Sequence, residues 1–271
     1  MSMNIVQSKR NLKRRVEGFF ASEKDERQAA SNFIEALSMH AHVYIFGGMI
    51  RDIGLFGHNG FSSDIDLVFH GSRHKLYQAL ESLNIPHFTE NKFGGFRLTH
   101  SRMDYDIWSL EDTWAFREDV ISLHNIDSLL HTTLMTWDAV IYDINAKKII
   151  TQPNYFQDLI NRRLDLVLEK NPNEKGSVVK IIRTIYGKNA ATLGGKLCAF
   201  LKNHLSCYSS TELIQYERAN FDKNLITAAR IDKLLILLEQ WQKGEDIIIN
   251  VQQKPKTIHY KCITEKGNVF P

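Results

Sequence analysis

IFGGMIRD at residues 45–52 and SSDIDLVF at residues 62–69 are the two stretches that decide the fold. The second stretch alternates like a β-strand, and side chains two apart on a strand point to the same side of a sheet. Asp64 and Asp66 should therefore project together, with Ile65 turned into the sheet. A glycine pair so close to a strand with paired acids predicts a functional site.

The glycine pair, Gly47 and Gly48, follows the apolar run HVYIF, which predicts a strand, and precedes a predicted helix. Glycine lets a backbone approach a ligand closely, and free N–H groups at the start of a helix bind phosphate well. Arg51 lies one turn into the helix, where it can reach the same anion, with Asp52 beside it. Two glycines alone more often mark a turn, so the prediction depends on the acid strand beside them.

The two carboxylates of the strand predict a metal site. Like charges held this close repel each other and raise each other's pKa unless a cation lies between them. A hard divalent ion such as Mg²⁺ takes oxygen ligands and removes that repulsion. An isolated Asp-x-Asp pair is more often a surface strand that faces water, and it is the neighbouring glycines and arginine that favour a metal here.

A third carboxylate should come from a neighbouring strand, because two-metal phosphoryl transfer needs acids that bridge both ions. MDYDIWSL at residues 103–110 supplies Asp104 and Asp106, again on one face of a strand. Asp106 precedes Ile107 and Trp108 and lies deeper in the strand, so we favour it. Asp104 is next to a predicted hairpin turn and is more simply explained as a surface acid. The choice between the two stays open at this point.

The periodicity predicts an α+β protein in two domains, with a mixed β-sheet flanked by helices over residues 1–153 and a mainly helical part over 154–271. The boundary is where the pattern changes, near Pro153. Predicted helices cover residues 26–40, 49–57, 72–83, 155–169, 176–189, 193–205 and 223–244. Predicted strands cover residues 42–46, 64–70, 95–100, 103–110, 138–144, 147–151, 245–253 and 257–264.

The composition is that of a globular protein, with 43% hydrophobic and 24% charged residues. The apolar runs are far shorter than a bilayer span, and the N-terminus lacks the apolar core of a secretory signal. We therefore expect a cytoplasmic protein with no membrane segment. The wide spacing of the three cysteines predicts neither a disulfide framework nor a zinc site; they are Cys198, Cys207 and Cys262.

Positive charge is unevenly distributed, although the net charge is only +3. One basic cluster lies near the N-terminus, and a second fills residues 175–211, which contain six Lys or Arg and no Asp or Glu. Such stretches suit a phosphate-rich partner, and a solvated helix face explains them equally well. The clusters are Lys9, Arg10, Lys13, Arg14 and Arg15, and then Lys175, Lys180, Arg183, Lys188, Lys196 and Lys202.

The element GGMIRD…SDIDLV resembles the nucleotidyltransferase superfamily of DNA polymerase beta. More narrowly, it is similar to GGxVRD…DIDL in the head domain of bacterial CCA-adding tRNA nucleotidyltransferases and poly(A) polymerases. DAVIYDINAKKIITQPNYFQDLINRRL resembles the family's NALAYDxxTGxIIDPFGGxxDLxxRxL, and VVKIIRTIYG resembles the neck helix that follows. The resemblance spans roughly residues 40–190 and implies a nucleotidyltransferase head followed by a helical neck.

The resemblance also implies a reaction, in which a hydroxyl attacks the α-phosphorus of an NTP in line and pyrophosphate leaves. ATP or CTP is the implied donor, and tRNA or another RNA is the implied acceptor. The implied NTP-binding residues around the glycine turn are Gly47, Gly48, Arg51 and Asp52. The implied catalytic residues, which would also bind two Mg²⁺ ions, are Asp64, Asp66 and Asp106.

One departure from the family lies at residues 131–139. The family has RRDFTINA where this chain has HTTLMTWDA. Thr136 and Ala139 fit the pattern, Asp138 replaces the asparagine, and the paired arginines and the aspartate are missing.

A second departure lies in the neck helix. The family's base-reading motif EDxxR falls on Gly176, Ser177 and Lys180, so that only a cation remains, while Arg183 still matches a neck arginine. Lys180 and Arg183 are therefore the candidate neck residues for NTP binding. A side-chain template that selects C and then A is not visible.

Three readings remain open. The first is an active Mg²⁺-dependent nucleotidyltransferase with an altered acceptor, which could be tRNA, another RNA, a protein or a small molecule. The second is a CCA-adding or poly(A) enzyme of the usual kind, against which the missing base-reading motif argues. The third is a catalytically inactive NTP-binding or RNA-binding module on the same scaffold, and the presence of all three acids favours activity over it.

Overall fold

The computed structural model describes residues 5–61, 63–85 and 87–249. Within these residues, strands and helices combine into a mixed sheet with flanking helices followed by a largely helical part, which confirms the predicted fold class. None of the described helices is long and apolar enough to cross a membrane. The division into two domains at residue 153 stays a prediction.

Seven strands of the described chain form one sheet, and in chain order they are β1 (His42–Phe46), β2 (Ile65–His70), β3 (Phe88–Glu90), β4 (Phe96–His100), β5 (Met103–Ser109), β6 (Val140–Asp143) and β7 (Lys148–Thr151). Their order across the sheet is β3-β4-β5-β2-β1-β6-β7. All neighbours are antiparallel except β2 and β5, which are parallel. The beginnings of β2 and β5 therefore lie at the same edge as the end of β1.

Helices cover one face of this sheet. Buried side chains of the first four helices join those of β1, β2 and β5 in one hydrophobic core. In chain order the helices are α1 (Lys9–Phe20), α2 (Asp25–Ser38), α3 (Gly48–Phe56), α4 (Arg73–Ser82), α5 (Trp114–Arg117), α6 (Tyr155–Ile160), α7 (Glu174–Gly187), α8 (Gly195–His204), α9 (Ser210–Asn220) and α10 (Ala228–Glu239).

The opposite face of the sheet is covered at one end of its strands. Val68 and Trp108 pack there against the segment 110–131 in a separate hydrophobic cluster. Asp66 and Asp106 stand two residues earlier on the same two strands, and so on the same face. The segment thus covers the ends of β2 and β5 and leaves the beginnings of these strands accessible.

The part of the chain after the sheet is mainly helical and contains a second, small sheet. The buried residues of α7, among them Ile181 and Ile182, belong to the same hydrophobic core as the large sheet. The strands of the small sheet, in the order β10-β9-β8, are β8 (Arg163–Leu164), β9 (Thr192–Leu193) and β10 (Ile247–Ile248).

The predicted helix over residues 155–169 is correct only up to Ile160 and wrong beyond it. α6 ends at Ile160, Arg162 has a φ of +51°, and the chain continues as β8. The reason is visible in the letters LDLVLE, where the buried residues Leu164 and Leu166 alternate with period two. Side chains that favour helices misled the prediction, and the alternation decided the structure.

Other elements differ from the prediction in extent. The sequence pattern misses α1, α9 and the short β3, and the basic N-terminal run forms the amphipathic α1. The predicted helix over 223–244 is shorter, because the Thr227 side chain caps the start of α10. The predicted strand over 257–264 and the end of the one over 245–253 lie outside the described residues.

Four charged side chains form a buried network beneath the glycine turn. Arg51 donates from Nε to Oδ1 of Asp52 at 2.8 Å and from Nη1 to Oδ1 of Asp138. Lys188 donates from Nζ to Oδ2 of Asp52 at 2.7 Å. Asp52 is only 1% exposed. Because these residues come from α3, the turn before β6 and the end of α7, the network joins three separate parts of the chain.

We expect Asp52→Asn to lower the free energy of unfolding by about 3 kcal/mol, because it leaves the buried Arg51 and the partly buried Lys188 without their shared counter-charge. Urea unfolding followed by circular dichroism measures this. Lys13→Gln is the control, since Lys13 pairs with Glu17 at 3.6 Å on the exposed side of α1. It should change the stability by about 0.5 kcal/mol at most. Equal stability of the two variants would contradict a structural role for the network.

Candidate active site

The turn between β1 and α3 brings the start of a helix next to the acid strand. Gly47 has a φ of +68°, a backbone conformation that favours glycine. At Gly48, the first residue of α3, an added Cβ would lie 3.9 Å from Oδ2 of Asp66 and 3.6 Å from Nη2 of Arg51. The first N–H groups of a helix have no partner within the helix and favour anions, so this end of α3 can bind a phosphate.

The predicted acids lie together on one face of the sheet. Asp66 on β2 and Asp106 on β5 are in register on neighbouring parallel strands. Asp64 directly precedes β2, and Asp104 stands two residues before Asp106 on β5. The alternation of strand residues turns all four carboxylates to the same side.

Two clefts meet at Asp64 and Asp104. One has a volume of about 540 Å³ and is also lined by His87, Arg97 and Asp106. The other has a volume of about 580 Å³ and is lined by the start of α2 and by the turn between β4 and β5. The acids thus stand where two substrates can approach each other from different sides.

The acidity of Asp66 is strongly perturbed by its surroundings. Burial raises the pKa of Asp66 from 3.8 to about 7, and repulsion from Asp106 and Asp64 adds to this. The ammonium of Lys180 opposes the shift without cancelling it. A cation placed against these oxygens would relieve the repulsion, so the electrostatics of the face favour the binding of a positive ion.

Both acids of β5 have a partner on β4. Arg97 binds Asp106 with two hydrogen bonds, from Nε to Oδ1 at 2.7 Å and from Nη2 to Oδ2 at 2.8 Å. The hydroxyl of Thr99 donates to Oδ1 of Asp104 at 2.6 Å. The register with Asp66 favours Asp106 as the third acid, whereas Asp104 lines both clefts together with Asp64, and Asp106 lines only one of them. The choice between them stays a prediction.

The side chains on this face are of the types that bind a divalent ion, but their present arrangement does not form a metal site. Carboxylate oxygens on one face are the ligands that Mg²⁺ prefers. Within the described residues, however, no group of three His, Cys, Asp or Glu side chains is arranged to hold a metal ion. Asp106 has both oxygens occupied by Arg97, so it would have to exchange this partner to serve as a ligand.

Arg51, predicted to hold a triphosphate, is buried against two carboxylates. Burial opposes its ionisation, but Asp138 and Asp52 outweigh burial and raise the pKa of the guanidinium. The same contact with Arg51, helped by Lys180, lowers the pKa of Asp138 despite its burial. Arg51 and Asp52 thus hold the turn from beneath, and their predicted contacts with an NTP stay a prediction.

Asp138 keeps one oxygen without a donor. Among the described residues no group donates a hydrogen bond to its Oδ2, which is buried. Lys180 Nζ lies 3.9 Å from this oxygen, and the lysine side chain is 56% exposed. Lys180 therefore lies beside the buried network, and its ammonium also acts on the carboxylate of Asp66.

Arg183, the other candidate from the neck helix, faces the last helices instead. Its guanidinium donates to Glu217 on α9 and to the carbonyl of Lys223, and it lies 4.0 Å from the centre of the Phe221 ring. Glu217 is fully buried and also accepts hydrogen bonds from two backbone N–H groups. These contacts fix α7 to α9, and the predicted role of Arg183 in NTP binding stays a prediction.

The acid-free stretch 175–211 is less basic in three dimensions than in sequence. Lys175 pairs with Glu212 at 3.2 Å, and two further cations of the stretch, Arg183 and Lys188, pair with acids from other elements. Lys180 lies 3.9 Å from Asp138, so four of the six cations of the stretch have an acidic partner. The stretch does not form a continuous cationic surface, which weakens the charge argument for RNA binding along α7 and α8.

Sequence reasoning missed Arg97. It could have been found, because a two-residue turn at 101–102 pairs residue 100 with residue 103 and therefore Arg97 with Asp106. The contact of Arg51 with Asp138 has no such signal, because 87 residues separate the two in the chain.

Solved structures with the same fold act on tRNA or bind nucleotides. A CCA-adding enzyme in complex with CTP is 17% identical, with a TM-score of 0.59, and the match covers 82% of this chain and 55% of that chain. The Thermotoga maritima CCA-adding enzyme complexed with tRNA is 16% identical, with a TM-score of 0.58 and coverages of 82% and 55%. A tRNA nucleotidyltransferase complexed with a primer tRNA and an incoming ATP analog is 18% identical, with a TM-score of 0.54 and coverages of 76% and 58%.

The match is one of structure. No protein-family model matches the chain, and no curated protein resembles it in sequence. The chain spans little more than half of the length of the solved structures above. At this identity the likeness establishes the fold, and the described chain has the nucleotidyltransferase-type fold of the CCA-adding enzymes.

Proposed function

We propose that the protein is an Mg²⁺-dependent nucleotidyltransferase, which transfers a nucleoside monophosphate from an NTP to an acceptor hydroxyl and releases pyrophosphate. The observation that supports this most is the register of Asp66 and Asp106 beside the start of α3. Oxygen donors for a cation and N–H donors for a phosphate thereby lie in one site. The fold shared with tRNA nucleotidyltransferases supports the same class of enzyme.

The acids would hold the ion and the acceptor. Asp64 and Asp66 would bind Mg²⁺, two ions in the full arrangement, through the oxygens that they turn to one side of the sheet. Bound Mg²⁺ would stabilise the charge on the transferred phosphate and lower the pKa of the acceptor hydroxyl. Asp106 would complete the ligand set and take the hydroxyl proton on a carboxylate oxygen, after Arg97 has released it.

The helix start would hold the triphosphate of the NTP. Gly47 and Gly48 let the phosphates approach the N–H groups of α3, and Lys180 would add a positive charge from the opposite side. Arg51 and Asp52 would act from beneath, by fixing the turn. ATP and CTP are the nucleotides that we infer, because similar structures hold CTP or an ATP analog.

RNA, and tRNA first, is the acceptor that we infer. Two of the similar structures are complexes with tRNA, and the second cleft, beside the start of α2, also reaches Asp64 and Asp104 and leaves room for an acceptor. A cytoplasmic location belongs to the same proposal. A protein or a small molecule is the alternative acceptor, and the compensated charges of the stretch 175–211 favour it over RNA.

A catalytically inactive NTP-binding or RNA-binding module is the second candidate function. The ion pair of Arg97 with Asp106 favours it, because it occupies an acid that catalysis would need. Incubation with each α-labelled NTP, Mg²⁺ and total cellular RNA or lysate separates the candidates. Label in RNA supports the proposal, label in protein or in small molecules supports the alternative acceptors, and binding without transfer supports the inactive module.

Asp64→Asn and Asp66→Asn should each reduce transfer of label by roughly 1,000-fold or more, because each removes an anionic ligand from the Mg²⁺ that would stabilise the reacting phosphate. Circular dichroism should show an unchanged fold for both variants, since exposed or half-exposed Asp→Asn changes are mild. A variant that is folded and keeps near-normal transfer would contradict the assignment of the acids.

Asp106→Ala should reduce transfer much more than Asp104→Ala. Asp106 stands beside Asp66 in the sheet, whereas Asp104 is bound to Thr99 near the hairpin turn. The rate of transfer at saturating NTP measures the difference. The opposite order would make Asp104 the third acid.

The charged face should destabilise the folded protein above neutral pH. The pKa of Asp66 is higher in the folded protein, at about 7, than its ordinary value of 3.8. Ionised Asp66 therefore lowers stability, with a penalty that begins above pH 4 and is complete above pH 7. Without divalent ions, Asp66→Asn should raise the Tm at pH 8 by roughly 2–6 °C and by less at pH 5. An equal change at both values, measured by thermal melts, would refute this origin of the shift.

A further inference from the structure

We propose that Arg97 is a positioning residue that holds Asp106 and competes with the divalent ion for it. The inference rests on the proposed function and concerns the same site. Arg97 would keep the third carboxylate in place while the ion is absent, and would release it when the ion and the NTP arrive.

The geometry of the pair makes the competition direct. Arg97 uses two nitrogens for the two oxygens of Asp106, at 2.7 and 2.8 Å, so neither oxygen is left without a cationic partner. The two residues are directly opposite in the β4–β5 hairpin. A planar guanidinium matches a carboxylate in this way better than an ammonium does.

The two partners differ in their freedom to move. The Arg97 side chain is 65% exposed, whereas that of Asp106 is 19% exposed. An ion pair with one well-hydrated partner breaks at low cost, because the arginine can swing into the cleft and keep its charge in water, while the incoming ion would replace it as the partner of Asp106. Asp106 is held by the sheet and stays where an ion on Asp66 would meet it.

The surrounding charges also favour an exchange. Hydrogen bonding and attraction from Asp106 raise the pKa of the Arg97 guanidinium, and Asp64 and Asp66 attract it as well. Arg97 thus lies in the negative electrostatic potential that would attract a divalent ion, and its single positive charge takes the place of that ion. A doubly charged ion on these acids would repel the guanidinium and attract Asp106.

Binding of Mn²⁺, measured at pH 8 by electron paramagnetic resonance and by calorimetry without nucleotide, tests the proposal. Arg97→Gln should bind Mn²⁺ roughly three- to ten-fold more tightly than the unmodified protein, because its side chain cannot pair ionically with Asp106. Arg97→Lys, which keeps the charge and loses the paired geometry, should lie between them. Arg73→Gln is the matched control, since Arg73 pairs with Glu90 at 2.9 Å on an exposed part of the same half of the chain.

A double-mutant cycle separates direct competition from a general effect of charge. In the Asp106→Asn background, Arg97→Gln should leave the Mn²⁺ affinity nearly unchanged. An equal gain in both backgrounds would show that Arg97 acts only through its distant charge and would overturn the proposal. So would an Arg97→Gln variant with unchanged or weaker Mn²⁺ binding. If neither the unmodified protein nor any variant binds Mn²⁺, the proposed function itself fails. This outcome is distinct from a failure of the proposed competition between Arg97 and the ion.

Discussion

The geometry of the site depends on the ion pairs that the buried guanidinium of Arg51 forms. The guanidinium holds Asp52 and Asp138 on its two sides, and Asp52 in turn holds Lys188 at the end of α7. A buried charge that loses its partner is costly, so the turn after β1, the turn before β6 and α7 are fixed relative to one another. The glycine turn can therefore present the start of α3 to Asp66 at a constant distance.

The charges beneath this turn are paired, whereas those on the open face of the sheet are not balanced. Beneath the turn, cations and carboxylates are paired, and pairing gives rigidity. On the open face of β2 and β5, carboxylates outnumber the cations, and burial together with repulsion from the neighbouring acids raises the pKa of Asp66 to about 7. A fold optimised only for stability would have avoided this excess, and such local departures are typical of functional sites.

The sequence predicts the parts of the site that depend on local periodicity. Strand alternation predicts that Asp64, Asp66 and Asp106 face the same side of the sheet, and the two glycines predict the turn. Both signals lie within a few residues of the sequence. The burial of Arg51 against Asp138 could not be predicted, since it depends on how distant segments meet. The error beyond Ile160 has the same origin: the side chains of this segment favour a helix locally, whereas β8 pairs with β9, whose residues lie 29 positions later in the chain.

The turn between β4 and β5 limits how the site can change in evolution. Ser101 and Arg102 both have positive φ, at +50° and +67°, and close the hairpin in two residues. A single inserted residue would reverse the facing of one strand, because side chains alternate with period two. Reversal of β5 would bury both of its acids, and reversal of β4 would turn Arg97 away from them. Insertions and deletions in this hairpin are therefore compatible with the site only when they change its length by an even number of residues. The segment 110–131, which covers the other end of the same face, is not bound by this rule.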